Sequence, residues 1–215
     1  MSQRISLDPT EAREKRIYKA DFEIRSEEGG PSKVVGYAAM FNKRSENFGG
    51  ETYPFYEIIK PGAFSSVLKD DVRALIDHSG GLQTLARTKS RTLELSEDEI
   101  GLRFEFEAPD TQAGRDIVTI LKRGDIDQAS FAFIVDREGQ EFEEKEENGK
   151  EVTIRTITQI KRLYDVSPVT YPAYPETIVQ ARSMEERINQ KKICAFTADN
   201  EARARTLRLL ELKQL

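Results

Sequence analysis

Between Arg16 and Val169 the sequence is a succession of short β-branched and aromatic runs cut by glycine, proline and Asn-Gly signals, with helical periodicity in only one long stretch. That pattern predicts a β-rich body. The clearest case is 101–109, where Leu102, Phe104 and Phe106 alternate with Arg103, Glu105 and Glu107, as on a half-buried strand. Further strands are expected over 16–25 and 32–41, joined by the turn Glu27-Glu28-Gly29-Gly30-Pro31, and over 55–60, 72–78, 91–96 and 128–135. Pro61 and Gly62 stop the 55–60 strand, and a short helix is expected over 63–69. The one long helix follows Asp110, with Ile117, Ile120 and Leu121 on one face and Gly124 as its C-terminal cap. Asn148-Gly149 predicts a tight hairpin whose acidic tip, 141–151, is solvated. Residues 152–169 read as one long strand, able to bend around a barrel.

The ends differ from this body. Residues 1–16 are charged, with a short helix expected after Asp8 and Pro9, and too little apolar content to fold alone; they read as a flexible N-terminal arm. From 183 to 215 the β-branched density falls and Ala, Glu, Arg, Lys and Leu take over, as in a helical C-terminal tail, possible to remove from the 17–182 domain. A net charge of −5 with both signs mixed gives no basic stripe for nucleic acid. No apolar run reaches the ~18 residues of a membrane span, and the N-terminus has no apolar signal-peptide centre. Cys194 and His78 are each alone in the chain, so no disulfide, zinc cluster or cofactor is expected.

The single histidine bears directly on chemistry. His78 follows the apolar run Ala74-Leu75-Ile76 and is the one side chain here whose ordinary titration suits a general base near neutral pH. It can equally be a histidine without a task. A nucleophile would need small neighbours on rigid backbone. Ser130 has them: period two puts it on one strand face with Ala132, while Phe131, Phe133 and Val135 anchor the other. Ser130 could also be a small polar filler. Asp165 ends an apolar run, where a carboxylate is costly unless partnered. It either caps a turn around Ser167-Pro168 or orients a buried partner. Asp77 is the weaker acidic candidate, since neighbouring strand residues point to opposite faces.

Four stretches, YEIIKPGAFSSVL (56–68), VRALIDHSG (72–80), GRDIVTILKRGDIDQASFAF (114–133) and LYDVSPVTYPAYPET (163–177), together resemble the prohead maturation proteases of tailed bacteriophages. The resemblance covers roughly 17–177 and rests above all on the Ser130 strand and on VSPVTYPAYPET. It implies a fold related to the herpesvirus assembly proteases: a closed, mostly antiparallel β-barrel ringed by helices. It also implies a serine endopeptidase that acts inside the assembling procapsid, in the host bacterial cytoplasm. Its partners would be the major capsid protein or scaffold protein and itself, both as a substrate for self-cleavage and as a dimer or higher assembly. Carried over by position, Ser130 is the nucleophile and His78 the base. The herpesvirus enzymes use a second histidine as third member; this chain has none, and Asp165 is the matching position chosen for that role. The alternative is a catalytically inactive barrel module that binds scaffold or serves capsid assembly.

Overall fold

The computed structural model describes residues 13–26 and 30–170. The expected helix after Asp8 and the whole 183–215 tail lie outside them. The first half of the described chain holds β1 (Glu14–Lys19), β2 (Glu23–Ser26), β3 (Ser32–Met40), β4 (Phe55–Ile59), β5 (Arg73–Ile76) and β6 (Ser79–Arg87). Then come β7 (Leu93–Glu97), β8 (Gly101–Glu107), helix α1 (Gln112–Arg123), β9 (Gln128–Val135), β10 (Gln140–Glu147), β11 (Lys150–Ile157) and β12 (Ile160–Val169).

These strands form three sheets, ordered β1-β9-β12-β5-β6, β2-β3-β8-β7 and β10-β11-β4. Pairing is antiparallel except for β12 with β5 and β11 with β4. The sheets are not closed into a barrel, and α1 is the one helix among the described residues, so the expected helical ring is not found there. The reason lies where the chain changes sheet. The expected strand 16–25 is broken at Ala20-Asp21-Phe22, which sends β1 to the first sheet and β2 to the second. The expected long strand 152–169 is broken at Thr158-Gln159, which separates β11 from β12. A single parallel bridge, Phe41 to Ile59, joins the end of β3 to β4.

Two further expectations are corrected. Residues 14–16, assigned to the arm, begin β1. Residues 63–69 form successive four-residue turns instead of a helix, with hydrogen bonds from Ala63 N to Lys60 O, Ser65 N to Gly62 O and Val67 N to Phe64 O. Gly62 at φ +88° starts this run in a conformation that side-chain-bearing residues rarely adopt. The helix is where the periodicity put it. Thr111, one residue beyond Asp110, caps its N-terminus by accepting from Gly114 N at 3.1 Å, and Gly124 at φ +78° caps the other end.

The core collects Phe64, Phe104, Phe106, Phe131 and Phe133, with Ile117, Val118 and Leu121 of α1. Phe131 and Phe133 stack at 4.5 Å and Phe64 meets Phe131 edge-on at 5.4 Å. Two large aromatics on one face of β9 therefore lock that strand, each worth roughly 2–3 kcal/mol of burial. A buried ion network ties β1 to β4 and β11. Glu57 (1% exposed) accepts from both Arg16 and Arg155, which also bond Glu14. Burial alone would raise the Glu57 pKa, but the two guanidiniums outweigh it and hold the carboxyl at about 2. Burial likewise opposes the Arg16 charge, and Glu57 and Glu14 more than restore it.

Candidate active site

The two faces of β9 have different tasks. With Phe131 and Phe133 committed to the core, Ser130 and Ala132 point the other way, and both are buried. β12 runs antiparallel beside it, so that Ser167 lies opposite Ser130 and Asp165 opposite Ala132. Directly opposed residues share a face. The register thus sets Asp165 and Ser167 on the Ser130 face, with a register shift between Leu163 and Asp165 adjusting where the carboxylate emerges.

His78 arrives from the neighbouring hairpin. The sequence predicts a strand over 72–78 with His78 as its last residue. Instead β5 stops at Ile76, Ile76 pairs with Ser79, and Asp77 and His78 form the two-residue turn between them. Both have positive φ, +48° and +58°, the signature of a type I′ turn. Asp and His are among the non-glycine residues that tolerate this region best, yet the conformation still costs energy. Neighbouring contacts hold it. Asp77 N donates to Pro168 O at 3.0 Å, and the Asp77 carboxylate accepts from Thr170 N at 2.7 Å and Thr170 Oγ1 at 2.8 Å. Asp77, the weaker acidic candidate, thus clamps the turn to the end of β12 and does not face the Ser130 hydroxyl through any of these bonds.

The turn brings the three sequence candidates into one chain of hydrogen bonds. His78 Nε2 lies 2.7 Å from Ser130 Oγ, and Nδ1 lies 2.5 Å from Asp165 Oδ1. A carboxylate oxygen can only accept, so this arrangement uses the tautomer with its proton on Nδ1 and leaves the Nε2 lone pair for the serine hydroxyl. The His78 side chain is 9% exposed and that of Asp165 2%. Water is largely excluded, which strengthens each polar contact and makes an unpartnered charge expensive.

Asp165 has two further partners that the sequence does not single out. Ser167 Oγ donates to Oδ1 at 3.0 Å, so the carboxylate both meets its own strand neighbour and holds the imidazole. Oδ2 is bonded by the guanidinium of Arg13. Period two along β12 would have flagged Ser167, two residues from Asp165 on the same face. Nothing local marks Arg13, which sits among other charges in the segment read as an arm.

The arrangement can polarise a serine hydroxyl, take its proton and stabilise the resulting imidazolium. Among known proteins, the family model described as caudovirus prohead serine protease matches residues 20–191. No curated protein and no solved structure matches.

Proposed function

The chain belongs to the caudovirus prohead serine protease family, and on that premise we propose that it is a serine endopeptidase of capsid maturation. Its substrates are the scaffold protein, or a scaffold-like segment of the major capsid protein, and the enzyme itself, inside the assembling procapsid. The observation that carries this reading is the continuous chain from Ser130 Oγ through His78 to Asp165.

In the proposed reaction Ser130 Oγ attacks the scissile carbonyl while His78 Nε2 takes its proton. Asp165 keeps the ring oriented and offsets the charge on the imidazolium. The amine then leaves with the proton from Nε2, giving an acyl-enzyme on Ser130. Water, deprotonated by His78, attacks the ester and regenerates the serine. A three-part division into an N-terminal arm, a protease domain reaching to 182 and a removable 183–215 tail belongs to the same proposal.

Co-expression with the capsid and scaffold proteins, followed by intact-mass measurement, tests it. Wild type yields shortened products and Ser130→Ala does not. Uncleaved, identical masses in both would favour the inactive assembly module, and cleavage by Ser130→Ala would remove Ser130 as nucleophile.

A further inference from the structure

The third member of the serine–histidine–aspartate chain has two oxygens, and they face different parts of the molecule. Oδ1 receives His78 and Ser167; Oδ2 receives Arg13, the residue directly before β1. We infer that Arg13 is a positioning residue for catalysis: its guanidinium fixes the Asp165 carboxylate so that Oδ1 stays aimed at His78 Nδ1. The inference rests on the proposed serine-protease reading.

The geometry explains why a cation is needed there. The Asp165 side chain is 2% exposed, and a carboxylate so far from water is stable as an anion only with charged or hydrogen-bonding partners. A base that is to take the serine proton starts without a charge, and the Ser167 hydroxyl carries none. Arg13 is thus the cation on this carboxylate in the resting state. Its other effect opposes catalysis, because a positive charge near the site disfavours the imidazolium. Exposure decides between the two. The Arg13 side chain is 46% exposed, so water screens its field toward His78, whereas its direct bond to a carboxylate shut off from water is screened far less. Orientation of Asp165 wins. Arg13 is itself steadied by the Tyr164 ring, with the guanidinium 4.7 Å from the ring centroid.

A role in stacking alone is separable. Arg162 lies over the same ring, also at 4.7 Å, and no bond to Asp165 joins it to the triad. Arg13, within the segment read as an arm, thereby completes the orientation of the acid.

The test uses full-length protein and a fluorophosphonate probe, whose phosphorus is attacked by an activated serine with loss of fluoride and which needs no peptide-binding groove. Labelling of Ser130 is timed in wild type, Arg13→Gln, Arg13→Lys, Arg162→Gln and Asp165→Asn, and in the Arg13→Gln/Asp165→Asn double variant. Thermal melts accompany each. Arg13→Gln is expected to label about 10- to 100-fold more slowly, the usual scale for a misplaced catalytic group, with Arg13→Lys recovering most of the rate and Arg162→Gln matching wild type. In the double variant the Arg13 effect should vanish, since the carboxylate it orients is gone. Equal rates in Arg13→Gln and wild type, a faster Arg13→Gln, or full additivity in the double variant would overturn the Arg13 role and leave the protease reading standing. Absence of labelling in wild type would overturn both.

Discussion

Replacing Glu57 with glutamine should destabilise the protein strongly at neutral pH and scarcely at all near pH 2. Glu57 is 1% exposed and sits between Arg16 of β1 and Arg155 of β11, with Glu14 as the second anion. The four charges cancel. Glutamine keeps the shape but leaves two buried guanidiniums facing one carboxylate, and breaking a buried network in this way costs about 3–5 kcal/mol. The depressed value of the Glu57 carboxyl points to the same range. The carboxyl is held at about 2 against an ordinary value of 4.5, and that difference corresponds to on the order of 3 kcal/mol. The sign follows from a depressed folded-state value: the contribution is fully present above about 4.5, declines as pH falls below it, and is gone once pH drops through about 2. At roughly 2–4 °C per kcal/mol for a domain of this size, Glu57→Gln should lower Tm by about 6–20 °C at pH 7. Urea unfolding of both proteins at pH 7, 5, 4 and 3, followed by far-UV circular dichroism, measures the gap directly. A gap below about 1 kcal/mol at pH 7, or one unchanged between pH 7 and pH 3, would show that the Glu57 charge does not hold the network together.

Two other predictions concern the site. Asp165→Asn should leave the melt near that of wild type yet slow peptide cleavage by about 10³–10⁴-fold, because an amide in place of the carboxylate no longer selects the Nδ1-protonated imidazole; steady-state kinetics on a capsid-derived peptide check this, and wild-type turnover would take Asp165 out of the mechanism. Asp77→Gly keeps a residue tolerant of φ +48° but removes the two hydrogen bonds from Thr170. It should cut kcat about 10-fold with little change in KM, and an unaltered kcat would show that the Thr170 clamp does not hold His78.

Much of the body was legible because short-range rules agreed there. β9 coincides with the alternation around Ser130, the Asn148-Gly149 turn joins β10 to β11, and Gly124 ends α1. What escaped depended on partners far away in sequence. Nothing local shows that Ala20-Asp21-Phe22 or Thr158-Gln159 must break their runs so that the chain can change sheet. The His78 turn was hidden for a different reason. Asp-His is an uncommon pair for a type I′ turn, so the strand is expected to run on to His78, two residues past its actual end at Ile76. At the site, the residue types of Ser130, His78 and Asp165 were readable. Their approach was not, because it arises from the pairing of β12 with both β9 and β5. Arg13 was the hardest to foresee: a charged residue in a charged segment acquires meaning only when β1 lies beside β9.

The proposed chemistry depends on activation of Ser130 by His78. Mass-spectrometric mapping of a fluorophosphonate adduct, timed in wild type and His78→Gln, tests it most directly. One adduct is expected, on Ser130, forming at least about 10³-fold more slowly without the imidazole. An adduct on another residue, or equal rates in the two proteins, would contradict it.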